Sequence, residues 1–209
     1  MLFNERVAIL ADGEFLKKTL SKRLRSFPDT TAVLAELERI RKHPDVSTLA
    51  LYRIFFYSAE PIGGSATHPL TKAQLNFGAS PAYANNTKLL SLLDASPDVA
   101  VRRGQLVKHG WRIKGTASEA LAKGKKAGVV ATDIEPNLQQ KGVDMRIGLD
   151  MASLALKRLV STVVVVTADS DLVPAMKFAR REGLRVYLDT LGGGRVRPEL
   201  KVHADRVLS

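Results

Sequence analysis

Carboxylates recur at three points of this chain where the flanking residues would set them at the rim of a packed body. Asp12 follows the apolar run Val7-Ala8-Ile9-Leu10-Ala11, and Asp144 opens an amphipathic stretch after Lys141-Gly142-Val143. Asp169 and Asp171 follow the run Val163-Val164-Val165-Val166, within Thr167-Ala168-Asp169-Ser170-Asp171. Acids gathered in one place repel one another, and a divalent cation between them keeps them ionised together. Oxygen ligands of this kind suit Mg²⁺ or Mn²⁺, which can lower the pKa of an attacking water and stabilise charge on the leaving oxygen of a phosphodiester. Taken singly, each acid also has a structural use, since Asp is a preferred helix N-cap and Asp-Gly favours tight turns. The conjunction of three remote segments is what argues for chemistry. Asp150 is a lesser candidate, because on a helical wheel it sits about a third of a turn from Asp144.

The elements that would position these acids alternate along the chain. Residues 6–11 read as a short buried strand, and Gly13 opens a helix to about Leu24. Asp29 or Thr30 caps a second helix, with Val33, Leu37 and Ile40 at helical spacing and His43-Pro44 as its stop. Ser47 to Tyr57 reads as a second strand. The breakers of Pro61 to Pro81 predict a long loop with a helical turn near Leu70 to Phe77, followed by a helix over Asn85 to Asp94. Val99 to Lys114, containing Trp111, alternates as a strand or hairpin, and Gly115 to Gly128 has the small, polar, basic composition of a mobile loop. Val143 to Leu159 is a helix with Val143, Ile147, Met151 and Leu154 on one face, and Ser161 to Thr167 is a strand buried on both faces. A helix with Leu172, Ala175, Met176 and Ala179 inward, a strand over Leu184 to Leu188 and the loop Gly192-Gly193-Gly194 complete the pattern.

Alternating strands and helices imply an α/β fold with a mainly parallel sheet covered on both faces. Ligands in such folds sit beyond the carboxyl ends of the strands, where the winding direction reverses. If the first strand and the Val163 strand are central neighbours, Asp12, Asp169 and Asp171 converge there.

A chain of 209 residues fits one domain, 1–209, with an insertion and basic arm at about 60–128. The composition, 45% hydrophobic and 25% charged, is that of a globular protein, and the absence of Cys excludes disulfides and Cys nucleophiles. No segment reads as a secretory signal or membrane helix, so the expected compartment is the cytoplasm. The net charge of +11 favours a polyanionic partner, and Val101 to Lys126 supplies +7 of it through Arg102, Arg103, Lys108, Arg112, Lys114, Lys123, Lys125 and Lys126 against Glu119. Arg102, Arg103, Lys108 and Arg112, together with Lys141, are the candidate phosphate-binding residues. Ser170 is a hydrogen-bonding or turn residue, and Trp111 either stacks on a base or packs in the core. Gly192-Gly193-Gly194-Arg195 has the look of a phosphate-cradling loop, although a lone glycine run is more often only flexible. No Gly-x-Gly-x-x-Gly follows the first strand, so no nucleotide cofactor is expected, and the four His show no zinc spacing.

Val-Ala-Ile-Leu-Ala-Asp12-Gly13-Glu14, Lys141-Gly142-Val143-Asp144 with Asp150, and Thr167-Ala168-Asp169-Ser170-Asp171-Leu172-Val173-Pro174 together resemble the NYN domain, in the LabA-like branch of the PIN-like nucleases. The resemblance covers most of the chain. It implies a Rossmann-like three-layer α/β/α PIN-like fold, Mg²⁺ or Mn²⁺, and hydrolysis of RNA phosphodiesters. It makes Asp12, Asp144 and Asp169 the leading metal ligands, with Asp171 completing the pocket. One departure is that many members carry Asn three residues after the first Asp, where this chain has Phe15. The alternatives are an RNA-binding or regulatory module with a degenerate pocket and, behind it, a phosphotransfer enzyme acting on small phosphomonoesters.

Overall fold

The computed structural model describes residues 5–192 and 196–208. Strand β1 (Arg6–Asp12) leads into α1 (Gly13–Leu24) and α2 (Thr30–Arg41), then through the short α3 (Pro44–Ser47) to β2 (Ala50–Ala59). A hairpin of β3 (Ser65–Thr67) and β4 (Gln74–Asn76) precedes α4 (Pro81–Asp94), β5 (Val99–Ile113) and α5 (Gly115–Ala122). The chain continues through β6 (Ile134–Lys141), α6 (Val143–Leu156), β7 (Thr162–Val166), α7 (Val173–Arg181), β8 (Arg185–Asp189), α8 (Pro198–Val202) and β9 (Arg206–Leu208).

The seven-stranded sheet runs β6-β5-β2-β1-β7-β8-β9, parallel throughout except at the edge, where β6 pairs antiparallel with β5. The central strands β1 and β7 are buried along Val7 to Ala11 and Thr162 to Val166 because both faces are covered there. Along β1, Val7, Ile9 and Ala11 enter the core beneath α1, α2 and α4, while Ala8 and Leu10 enter the core beneath α6 and α7. The same two-residue period sends Val164 and Val166 of β7 to the first core and Val163 and Val165 to the second. This is a three-layer α/β/α fold. No helix among the described residues is long and apolar enough to cross a membrane.

The topology puts a switch point between β1 and β7. From β1 the chain winds outward through β2 and β5 to β6, and α6 then carries it back across the sheet to β7, from which it winds the opposite way to β8 and β9. The expected adjacency of the first strand and the Val163 strand is what the structure has, with Ala11 opposite Val166.

Two local expectations differ from what the chain does, and a third is narrowed. Instead of a helical turn near Leu70 to Phe77 there is the β3–β4 hairpin, whose connection is held by the His68 ring: Nδ1 accepts from the backbone N–H groups of Leu70 and Thr71 at 3.3 and 3.2 Å. Val99 to Ile113, expected as a strand or hairpin, is one long strand. Residues 115–122 form α5 rather than a loop, since Ala117, Ala120 and Leu121 are strong helix formers and Ala117 is buried. Of the glycine run near the end, Gly193, Gly194 and Arg195 lie outside the described residues.

Candidate active site

Asp12 is the last residue of β1 and the N-cap of α1. Its Oδ1 accepts hydrogen bonds from the backbone N–H groups of Glu14 and Phe15 at 3.0 and 3.1 Å, which is worth about 1 kcal/mol to the helix. Both bonds fall on one oxygen, and Oδ2 has no hydrogen-bond partner among the described residues. The helix can start here only because Gly13 has no side chain: a Cβ would lie 2.5 Å from the carbonyl oxygen of Tyr57 and 2.7 Å from the Phe56 ring. Asp12 is thereby pressed to the sheet edge beside β2.

Asp144 stands in the first turn of α6. The start of that helix is fixed against β5 at Gly104, where a Cβ would meet Val143 Cγ2 at 2.6 Å and the Lys141 carbonyl at 2.9 Å. Val143 and Ile147 turn into the core, and the Asp144 side chain, one residue after Val143, opens into the cleft without an ion pair or hydrogen bond among the described residues. Asp169 lies three residues beyond the end of β7 and caps the short 3₁₀ turn Ser170–Leu172, its Oδ1 accepting from the Asp171 backbone N–H at 3.0 Å.

Asp12, Asp144 and Asp169 line one cleft of about 360 Å³ at the switch point. Their charges act on one another. Burial is the main cause that pushes the Asp12 carboxyl above its ordinary value, its two backbone hydrogen bonds pull the other way, and the charges of Asp144 and Glu14 add to the rise. Partial burial likewise raises Asp144, and Asp169 and Asp171 add to it. The acids are nonetheless not drawn tightly together: among the described residues, no three acids or imidazoles stand grouped as metal ligands. The local capping role and the shared cleft coexist, because each cap uses a single carboxylate oxygen.

The remaining sequence candidates are distributed around this centre. Asp171 is exposed and outside the cleft lining, yet near enough to act on Asp144. Asp150 faces elsewhere: its Oδ2 accepts from the Tyr57 hydroxyl and from Arg102 Nε, each at 2.9 Å. Arg102 also lies over the Phe55 ring, Arg103 pairs with Asp94 and Glu60, and Arg112 pairs with Glu135. Lys108 sits 5.9 Å from the centroid of the Phe77 ring, and Lys141 is exposed at the end of β6. None of these cations lines the acid cleft. Trp111 meets the His68 ring edge-on, with centroids 4.9 Å apart.

Four residues that the sequence alone did not mark complete the cleft: Glu14, Lys18, Gln140 and Arg197. Arg197 reaches the site from the far end of the chain, and its Nη1 donates to Ser170 Oγ at 2.9 Å. No spacing signal announces it, because it comes from beyond the last long strand. Glu14 stands inside the first motif but is spoken for by Lys17 and Lys18, at 3.3 and 3.5 Å. Phe15, in the position where an amide was expected, is half-buried, packs on the core and forms part of the cleft wall.

The model of the NYN domain matches residues 6–209. The chain belongs to the NYN family. NYN domains fall within the PIN-like nuclease superfamily, and the three-layer sheet is the fold expected of one. Among solved structures, this NYN domain is similar to a protein of unknown function from Vibrio parahaemolyticus, at 15% identity and a TM-score of 0.55 over 100% of this chain and 94% of that one. A nicotinamidase from Staphylococcus aureus, 12% identical over 96% of this chain and 89% of that one, reaches a TM-score of only 0.32. The first supports the fold and the second carries no argument. No curated protein matches this chain.

Proposed function

We propose that this NYN domain is a metal-dependent endoribonuclease of the LabA-like kind, in which Asp12, Asp144 and Asp169 hold Mg²⁺ or Mn²⁺ and Asp171 strengthens the negative field. The observation that carries the reading is that three carboxylates from three separate segments share the switch-point cleft with no cation paired to any of them among the described residues. The donor set is entirely carboxylate oxygen, which fits a hard dication, and among the described residues Asp12 Oδ2 and both Asp144 oxygens have no hydrogen-bond partner. When bound, such an ion supplies Lewis acidity and a more acidic water.

The protein's own groups do the rest. Arg197, fixed by Ser170, and Lys18 place positive charge at the cleft for the RNA phosphate, offsetting its repulsion by the acids. The caps on Asp12 and Asp169 fix these carboxylates to the backbone, so that little reorganisation is needed. The basic arm, Arg102, Arg103, Lys108 and Arg112 with Lys141, gathers the polyanion in a salt-dependent way. We read residues 1–209 as one domain, with the segment at about 60–128 serving this arm.

Labelled single-stranded RNA incubated with Mg²⁺, Mn²⁺ or chelator tests the proposal. Wild type should cut only with metal, and Asp169→Asn should not cut. A second reading, an RNA-binding module that breaks no bond, is favoured by one observation, the aromatic ring of Phe15 in the cleft wall, at the position where many members of the family carry Asn. It predicts salt-sensitive retention of RNA that stays intact through long incubation with either metal.

A further inference from the structure

A second cavity, of about 330 Å³, opens beside the acid cleft and shares Glu14 and Gln140 with it. Its walls are apolar: the aromatic rings of Phe77 and Tyr83 and the aliphatic faces of Ile62, Leu106, Pro136 and Leu138. The Pro61 to Pro81 segment supplies one side of it, and α4 supplies another.

The polar groups at its base are arranged in an unusual way. Lys17 is only 8% exposed, and its ammonium group has three protons to give. Two hydrogen bonds leave it, to Asn86 Oδ1 at 2.7 Å and Ser58 Oγ at 3.4 Å, and Glu14 Oε2 pairs with it at 3.3 Å. The lysine is thus held on three sides and paired with Glu14, so it fixes its neighbours rather than offering a free cation to a phosphate. The polar atoms left open are neutral: the Tyr83 hydroxyl and the amide nitrogen of Gln140, whose Oε1 already accepts from the Ala59 N–H at 3.0 Å. Aromatic and aliphatic walls with a few neutral donors and acceptors suit a flat, uncharged heterocycle.

We infer that this cavity is a nucleobase pocket: it takes one base of the RNA strand whose phosphate lies in the acid cleft, stacking it against Phe77 or the Tyr83 ring and meeting its polar edge with the Gln140 amide nitrogen and the Tyr83 hydroxyl. The inference rests on the ribonuclease reading for its substrate, because the two cavities adjoin through Glu14 and Gln140. The pocket makes cleavage sensitive to the identity of one nucleotide at a fixed distance from the cut, a selectivity that the acids alone do not provide.

The test is a binding experiment in chelator that needs no cleavage. A fluorescent five-nucleotide RNA is compared with the same ribose-phosphate backbone lacking its bases, on wild type, Ala82→Trp and Ile62→Trp. Both substitutions place an indole at the cavity wall from positions outside the core, Ala82 from an exposed site on α4 and Ile62 from a loop, so each checks the other against misfolding. Wild type should prefer the RNA with bases by at least about tenfold, the order that one stacked base contributes, and both variants should lose about that factor of preference. Equal preference in wild type and both folded variants overturns the pocket, whether or not RNA is cut. Preference that the variants abolish, together with RNA left intact when Mn²⁺ is added, sustains the pocket and removes the nuclease reading instead.

Discussion

Two groups of carboxylates stand at the carboxyl edge of the same sheet, one around Asp189 at the end of β8 and one around Asp12 at the end of β1, and they are treated in opposite ways. At the end of β8, Asp189 is fully buried, and Glu36 of α2 is nearly so. Arg39 bridges them, with Nη2 2.7 Å from Asp189 Oδ2 and Nε 2.6 Å from Glu36 Oε1, while Arg23 adds a contact of 2.8 Å to Glu36 Oε2 and donates to the Leu191 carbonyl. Burial works against the Arg39 charge, but its two acids outweigh that and hold its pKa above the ordinary value. At the end of β1, Asp12, Asp144 and Asp169 share a cleft with no cation paired to them among the described residues. The first group is complete as it stands and locks α1, α2 and β8 together. The second is held open at a local cost, which is what a site awaiting a positively charged ligand requires.

The largest separation between the two groups should be in chemistry. Asn in place of Asp12 keeps an equally good helix cap, so Asp12→Asn should fold. It and Asp144→Asn should lower metal-dependent RNA cleavage by at least about 1,000-fold, roughly 4 kcal/mol of transition-state stabilisation. Asp189→Asn should keep wild-type cleavage per folded molecule. A gel assay normalised to folded protein decides this, and a strong catalytic loss at Asp189 would erase the distinction.

Stability should reverse the order. Removing one partner of a buried ion pair leaves the other charge uncompensated, at about 3–5 kcal/mol. Arg39 is 38% exposed, so water and the Leu191 N–H, which donates to Asp189 Oδ1 at 2.6 Å, take up part of that loss. Arg39→Ala should therefore cost about 2–3 kcal/mol in urea unfolding. Asp144→Asn, which removes an acid that no cation compensates, should cost nothing.

What the sequence disclosed of this contrast follows its physics. The acid cleft was legible because each of its Asp residues ends or opens an element with a strong period: the buried run of β1, the one-sided wheel of α6 and the β-branched run of β7. Their convergence needed only the rule that parallel sheets gather ligands at a reversal of winding. The paired group left no such trace, since Arg39 and Asp189 lie 150 positions apart and an Arg on a helix is ordinarily a solvated residue. Arg197 was hidden for the same reason. The α5 segment is not legible as a helix because its flanking glycines and lysines speak for a loop, whereas Ala117 buries itself and the intervening alanines and leucine carry the helix.

The open group should also respond to pH and metal where the paired one does not. Asp12 and Asp144 have folded-state pKa values raised above the ordinary carboxylate value. Between the ordinary value, near 3.8, and the raised folded values, the native protein binds more protons than the unfolded chain, so this contribution to stability falls as pH rises through that window and is at its worst at neutral pH. Asp12→Asn should accordingly be more stable than wild type at pH 7, with the difference shrinking toward pH 4. Mn²⁺ at 100 times its dissociation constant should stabilise wild type at pH 7 by about 2.7 kcal/mol and leave Asp144→Asn little changed. Thermal melts across pH, with Mn²⁺ and with chelator, measure both effects, and equal Mn²⁺ shifts in the two proteins would show that the ion binds elsewhere.

The same contrast of matched and unmatched charge, with the sign inverted, grades the basic arm. Arg102, Arg103, Arg112 and Lys126 are each matched by an acid, in order Asp150, Asp94 with Glu60, Glu135 and Asp133. Lys108, Lys125 and Lys141 have no acid partner among the described residues, so their counterions are free to be exchanged for RNA phosphates. Removing one phosphate contact from a single strand should lower the slope of log affinity against log salt by about 0.7. Lys108→Ala and Lys141→Ala should each do so, by binding titrations at several salt concentrations. Arg102→Ala should change the slope by less, because removing that guanidinium frees Asp150 as well as losing a cation, and its cost should register as a loss of about 1 kcal/mol or less in folding stability. If Arg102 instead dominates the slope, its pairing with Asp150 opens when RNA binds, and the matched residues of the arm belong to the RNA surface after all.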